Sequence, residues 1–98
     1  MANNIVRESD IETKVKKWCK NHGILCIKVV PISMVGFPDR MILTPNGKVM
    51  FMELKAPGKT PRKNQEKWLA KLTSFNIKAC WFDNHEHAID EIKRLAAA

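Results

Sequence analysis

The chain has 98 residues, 45% of them apolar and 28% charged, enough for one core with little to spare. Seventeen Lys and Arg against ten Asp and Glu leave a net charge of +7, which favours a polyanionic partner, nucleic acid before an anionic membrane. No apolar run approaches the roughly 20 residues of a spanning helix, and the first residues lack a charged-then-apolar leader, so a cytoplasmic, non-secreted chain is expected.

Ser9 is expected to cap a first helix, with Glu12 completing a capping box. Ile11, Val15, Trp18 and Cys19 form its apolar stripe, and Gly23 suits its end. Ile24 to Val30 reads as a strand stopped by Pro31, and residues 31–38 form a loop leading to Asp39. Arg40 to Thr44 and Lys48 to Lys55 read as the arms of a β-hairpin. Between them Asn46-Gly47 suits a type I′ turn, because both residues tolerate positive φ. Alternation along the second arm puts Val49, Phe51, Glu53 and Lys55 on one face and Met50, Met52 and Leu54 on the other. A second helix is expected from Thr60 or Pro61 to about Ser74, with Trp68, Leu69 and Leu72 inward and Gln65 one turn before Leu69. Ile77 to Phe82 reads as a strand, and Asp83-Asn84 as the cap of a last helix that turns Ala88, Ile89, Ile92 and Leu95 inward. The order α-β-β-β-α-β-α implies a mixed α/β sheet flanked by helices, in one domain over residues 1–98. Cys19, Cys26 and Cys80 are odd in number with no paired spacing, and read as reduced thiols.

Two carboxylates and a lysine, Asp39, Glu53 and Lys55, converge at one end of this hairpin. Hard divalent cations take oxygen ligands, and Mg²⁺ commonly uses one or two carboxylates with water and phosphate oxygens. A lysine beside them can hold a scissile phosphate or orient an attacking water. Plainer accounts exist for each residue: a turn for Asp39, an ion pair or edge strand for Glu53, a helix flank for Gln65. Lys59, Arg62, Lys63 and Lys67 can be a solvated face. The first three also lie at a helix N-terminus, where free amides favour phosphate, and all four are candidate contacts to a nucleic-acid backbone. His85 and His87 lack zinc spacing and read as a helix start. Ser33 and the cysteines have no partnered histidine motif for nucleophilic catalysis.

Gly36-Phe37-Pro38-Asp39, followed by Glu53-Leu54-Lys55, Gly58 and Gln65, resembles the virus-type replication-repair nuclease (VRR-NUC) domain. That domain falls among the restriction-endonuclease-like nucleases, whose signature is P-D…(D/E)-x-K, and the likeness spans roughly residues 9 to 92. It implies a restriction-endonuclease-like core, with Asp39, Glu53 and the backbone carbonyl of Leu54 holding Mg²⁺ or Mn²⁺. Lys55 would then lie near the attacking water, and Gln65 would position Lys55 or substrate. Members of the superfamily often place a first-helix Glu beside the metal. Glu12 is expected there, against the alternative that it only caps its helix. The implied activity is metal-dependent DNA endonuclease. Stand-alone members resemble Holliday-junction resolvases and tend to be viral, so a homodimer cutting branched DNA is the implied version. Two alternatives stay open: a nucleic-acid-binding module that does not cleave, and a nuclease of the same superfamily used in restriction or RNA cleavage.

Overall fold

The computed structural model describes residues 5–30 and 32–98, so the expected strand stop at Pro31 lies outside the described residues. Its elements are α1 (Glu8–Asn21), β1 (Leu25–Lys28), β2 (Arg40–Leu43), β3 (Val49–Leu54), α2 (Lys63–Ser74), β4 (Lys78–Phe82) and α3 (His85–Ala97). The expected order holds throughout. One sheet runs β1-β2-β3-β4, antiparallel across its first two pairs and parallel between β3 and β4. The parallel pair needs a crossover, and α2 provides it.

Period-2 alternation in β3 sends Met50, Met52 and Leu54 to a fully buried face. They meet Ile42 of β2, the α1 stripe of Ile11, Val15 and Cys19, and Ala88 and Ile92 of α3. Helices α1 and α3 thus cover one face of the sheet. The other face carries Leu25, Ile27, Met41, Leu43, Val49 and Phe51 by the same alternation, and α2 lies over only its β4 side. Leu25, Ile27 and Val49 remain exposed there.

Two helix starts differ from the expectation, each because a side chain inside the first turn took a free amide, while the third helix starts at the expected Asp83-Asn84 cap. Helix α1 starts at Glu8, because the Asp10 carboxylate reaches back to accept the Arg7 N–H at 2.8 Å. Ser9 lies inside the first turn, so the Ser9–Glu12 capping box does not form. Helix α2 starts at Lys63, because the Gln65 side-chain oxygen accepts the Arg62 N–H at 2.8 Å. At the end of the chain Asn84 alone caps α3, accepting from the His87 N–H at 3.0 Å. Asp83 instead accepts the Gly58 N–H at 3.0 Å and ties down the loop before α2.

The hairpin turn also differs. Gly47 has φ +80°, while Asn46 is not among the residues with positive φ, so the turn is not type I′. The Gly47 N–H donates to Thr44 O at 3.0 Å and the Thr44 N–H to Lys48 O at 3.1 Å. That is a three-residue loop over Pro45-Asn46 with Gly47 in the left-handed position. Proline at the second turn position presets a negative φ, which decides against the mirror-image turn. Asn46 is left free for another task. Its amide donates to Leu95 O and Ala98 O, each at 3.0 Å, and closes the C-terminal end of α3.

Candidate active site

The site is built at the end of the hairpin away from that turn. Arg40 pairs with Met52, so the residues one step further on, Asp39 and Glu53, face each other. Lys55 follows two residues after Glu53 and projects from the same face. Its N–H donates to Phe82 O at 2.9 Å, continuing the parallel ladder past the end of β3. The strand is central, between β2 and β4, which removes the edge-strand account of Glu53. Glu53 is only 5% exposed and Lys55 8%, and among the described residues neither takes part in an ion pair.

A carboxylate so placed resists ionisation. Burial pushes Glu53 up to about 7, the Asp39 charge pushes the same way, and Lys55 pulls back against both. A weaker upward push comes from Glu8, the first residue of α1. Glu8 is itself raised, by burial first, with Lys55 pulling down and Glu12 and Asp39 pushing up. Glu8, Asp39, Glu53 and Lys55 therefore feel one another here, with Glu12 and Arg62 acting on Glu8 from the side.

Gln65 reaches this cluster from α2. Its Nε2 donates to Glu53 Oε2 at 3.3 Å, while its Oε1 is occupied by the Arg62 N–H. An amide whose oxygen must accept at one end has only its NH₂ for the other, so the helix cap sets which way Gln65 points. The residue is 6% exposed, and the plainer account of a helix flank does not describe it.

The loop carrying Asp39 is held against the same helix. Gly36 has φ +89°, and a Cβ there would stand 2.8 Å from the backbone carbon and Cγ of Asn64. Only glycine permits this approach without displacing the first turn of α2. Phe37 then packs edge-on against Phe51 and Trp68, with centroids 5.3 and 5.2 Å apart.

Glu12 goes elsewhere. It pairs with the buried Arg40 at 3.5 Å, on the core face of β2 rather than the face that carries Asp39. Of the three α1 acids, Glu8, Asp10 and Glu12, Glu8 is the one whose charge reaches Glu53 and Lys55 directly, and sequence reasoning passed it over. The only signal lay in the helix start: with Arg7 rather than Ser9 as cap, Glu8 moves to the first turn. Arg62 caps α2 close enough for its charge to lower Glu8, whereas Lys59, Lys63 and Lys67 are exposed around it.

One oxygen at the centre has no partner. Asp39 Oδ1 is buried and makes no hydrogen bond; such an atom costs roughly 1–3 kcal/mol unless something else satisfies it. No group of three His, Cys, Asp or Glu side chains among the described residues is placed to hold an ion. Two carboxylates, completed by water and phosphate oxygens, are the all-oxygen set that a hard cation such as Mg²⁺ takes. The residues present fit such an ion. No helix among the described residues is long and apolar enough to cross a membrane.

The chain is similar to known proteins in both sequence and fold. The model of the VRR-NUC domain family matches residues 4–83. A phage protein, "Putative nuclease p44" of Acyrthosiphon pisum secondary endosymbiont phage 1, is 32% identical over 82 residues, covering 84% of this chain and 88% of its own. A solved structure described as a VRR_NUC domain superposes with a TM-score of 0.79 at 18% identity, over 88% of this chain and 94% of that one.

Proposed function

From the premise that this chain belongs to the VRR-NUC family, we propose that it is a nuclease hydrolysing phosphodiester bonds in DNA with the help of Mg²⁺ or Mn²⁺, as one domain over residues 1–98. The observation that carries this reading is the unpartnered, buried Asp39 oxygen opposite a Glu53 that burial keeps near neutrality. A structural hairpin has no use for two such acids facing each other across its strands, and a phosphate-binding surface has no use for acids in its groove.

Asp39, Glu53 and the Leu54 carbonyl would hold the ion, with Glu8 near enough to add its charge to theirs. When bound, the ion supplies positive charge at the scissile phosphate and acidifies water beside it. Glu53 gives up its proton as the cation arrives, since an opposite charge favours the ionised form. Gln65 keeps the Glu53 carboxylate in one orientation through the 3.3 Å hydrogen bond. Lys55 places an ammonium on the same face, where it offsets charge that grows on the phosphate. Lys59, Arg62, Lys63 and Lys67 surround the start of α2 and meet the DNA backbone there, where the free amides of the helix add to the attraction.

We extend the reading to branched DNA and to a homodimer of viral origin that works in the cytoplasm of its host. Support for the dimer comes from the sheet face that α2 leaves uncovered and from the unprotected edge of β1 beside it. Two copies would also double the basic surface and fix a distance between two sites.

The deciding experiment is a panel of single-stranded, duplex, flapped and four-way DNA, each with Mg²⁺, with Mn²⁺ and with chelator. Metal-dependent cleavage with preference for the branched substrates is expected. Tight binding without cleavage under any condition would leave a binding module in place of an enzyme. Sedimentation at micromolar concentration tests the dimer separately, and a clean monomer removes it.

A further inference from the structure

Helix α2 carries one feature that neither the core nor the acidic site uses. Trp68 points away from the main core and lies on the loop that leads to Asp39. Its indole N–H donates to Val35 O at 3.1 Å, and Phe37 packs against it edge-on. The ring is thus fixed at two points and cannot turn inward. What remains open is a cleft of about 310 Å³ lined by Asn64, Lys67, Trp68 and Lys71. Lys67 and Lys71 are four residues apart, so they share one helix face and line the cleft beside the ring.

Leaving a large aromatic half-open between two lysines is poor economy for a purely structural helix. The arrangement suits a flat, apolar ligand that carries negative charge at its edge. The volume lies at the bottom of the range for ligand pockets, ~300–1,000 Å³, so it suits one nucleobase and not a duplex. The same pattern repeats further along the helix, where Phe75 is 60% exposed with the Lys71 Nζ 5.3 Å from its ring centre. Aromatic faces alternating with cations bind single-stranded nucleic acid through stacking and phosphate attraction together. The position matters as well. Gln65 of the acidic site and Trp68 are less than one turn apart on α2, and Phe37 links Trp68 to the loop that delivers Asp39.

We propose that Trp68, with Lys67 and Lys71 at its rim, is a stacking platform for an unpaired nucleobase of the DNA strand that enters the acidic site. A base within a duplex has both faces covered by its neighbours; a base at a flap, a junction or a single-stranded end does not. The platform therefore recognises unpaired nucleotides beside the cut. This rests on DNA being the substrate, and it names the part of a branched substrate that the protein senses.

The test is binding in chelator, by fluorescence anisotropy, of a labelled dT12 strand and of a blunt duplex to the full chain and to Trp68→Ala and Trp68→Phe. The alanine variant should lose about tenfold to a hundredfold in affinity for dT12 and less than twofold for the duplex, with Trp68→Phe keeping most of the dT12 affinity. An equal loss on both ligands, or none, overturns the proposal. Because Trp68→Ala can loosen its contact with Phe37, a second measurement leaves Trp68 in place. In a Trp18→Phe, Trp81→Phe background, dT12 should quench the remaining emission and an abasic 12-mer of equal charge should not. Equal quenching by both would mean a phosphate surface only. Emission that follows protein concentration and ignores DNA would mean that a second copy of the chain covers the ring, which also overturns the proposal. Failure of the unsubstituted protein to bind any DNA would end the nuclease reading too. Metal-dependent cleavage with an indifferent Trp68 would end this inference alone.

Discussion

The two ends of one hairpin are built on opposite terms. At the turn, Thr44 hydrogen-bonds to Asn46, and the Asn46 amide closes the C-terminus of α3; the polar groups there are used against one another. At the far end of the same two strands, Asp39 Oδ1 has no partner and Glu53 is held near neutrality by burial and by Asp39. The strands are continuous, so backbone geometry does not explain the contrast. One end has been settled for stability. The other keeps a buried oxygen without a partner and a carboxylate that burial holds back from ionising, and the cost of keeping them is spread over the rest of the fold.

The largest break in this contrast should come from cleavage. Asp39→Asn, Glu53→Gln and Lys55→Ala are each expected to reduce metal-dependent hydrolysis by about a hundredfold to a thousandfold, with DNA binding largely kept. Near-normal rates in all three would dissolve the site. Glu8→Gln should lower cleavage and raise the Mn²⁺ requirement, whereas Glu12→Gln should act through Arg40 on stability and leave the metal requirement alone. The reverse result would restore Glu12 to the site.

pH sharpens the comparison next. Glu53 titrates near 7 in the folded chain against an ordinary 4.5. Between those values the folded state holds more protons than the unfolded one, so stability falls as pH rises through that window. The loss is on the order of 3 kcal/mol for such a displacement. Denaturant melts from pH 4.5 to 8 measure it. Mn²⁺ should restore stability at pH 8 and do little at pH 5, because the cation replaces the proton; a flat profile with and without metal would deny that the acids are held under tension.

At the turn end, Asn46→Ala should cost roughly 1–2 kcal/mol through two lost bonds to the α3 carbonyls, with cleavage per folded molecule unchanged. A drop in cleavage at full folding would show that the two ends are not independent. The smallest effect belongs to the basic rim. Replacing Lys59 or Lys63 with Ala should reduce the slope of log affinity against log salt by roughly 0.9 on duplex DNA, and an unchanged slope would leave them as solvated lysines.

Much of this was legible in the residues. The alternation in β3 alone separates Met50, Met52 and Leu54 from Glu53 and Lys55, and the element order follows from proline, glycine and asparagine punctuation. What escaped was decided by competition for single amides. Ser9 and Asp10 both offered to cap α1, and the sequence pattern favoured the commoner cap; Asp10 won, which brought Glu8 into play and freed Glu12 for Arg40. Asn46 read as a turn residue because its turn chemistry is local, while its bonds to Leu95 and Ala98 span about half the chain. The second face of the sheet was equally invisible, since a half-covered face and a covered one have the same alternating pattern.

The parallel pairing of β3 with β4 has a consequence for the order in which the molecule is made. Asp39 and Glu53 belong to a hairpin of adjacent strands, which closes over a short stretch of chain. Glu53 and its neighbour Trp81 on β4 are separated by the whole crossover, and so is Lys55 from the Phe82 carbonyl it bonds. Closing the longer loop costs more entropy before any contact repays it. In a folding trajectory the two acids are thus expected to meet early, while water still screens them, and to be sealed from solvent only when β4 docks. The repulsion is met last, on a scaffold already assembled. Stopped-flow refolding at pH 8 is the place to see it: Mn²⁺ should chiefly slow unfolding and leave the early collapse unchanged, whereas an equal acceleration of both would place the acids' burial before the docking of β4.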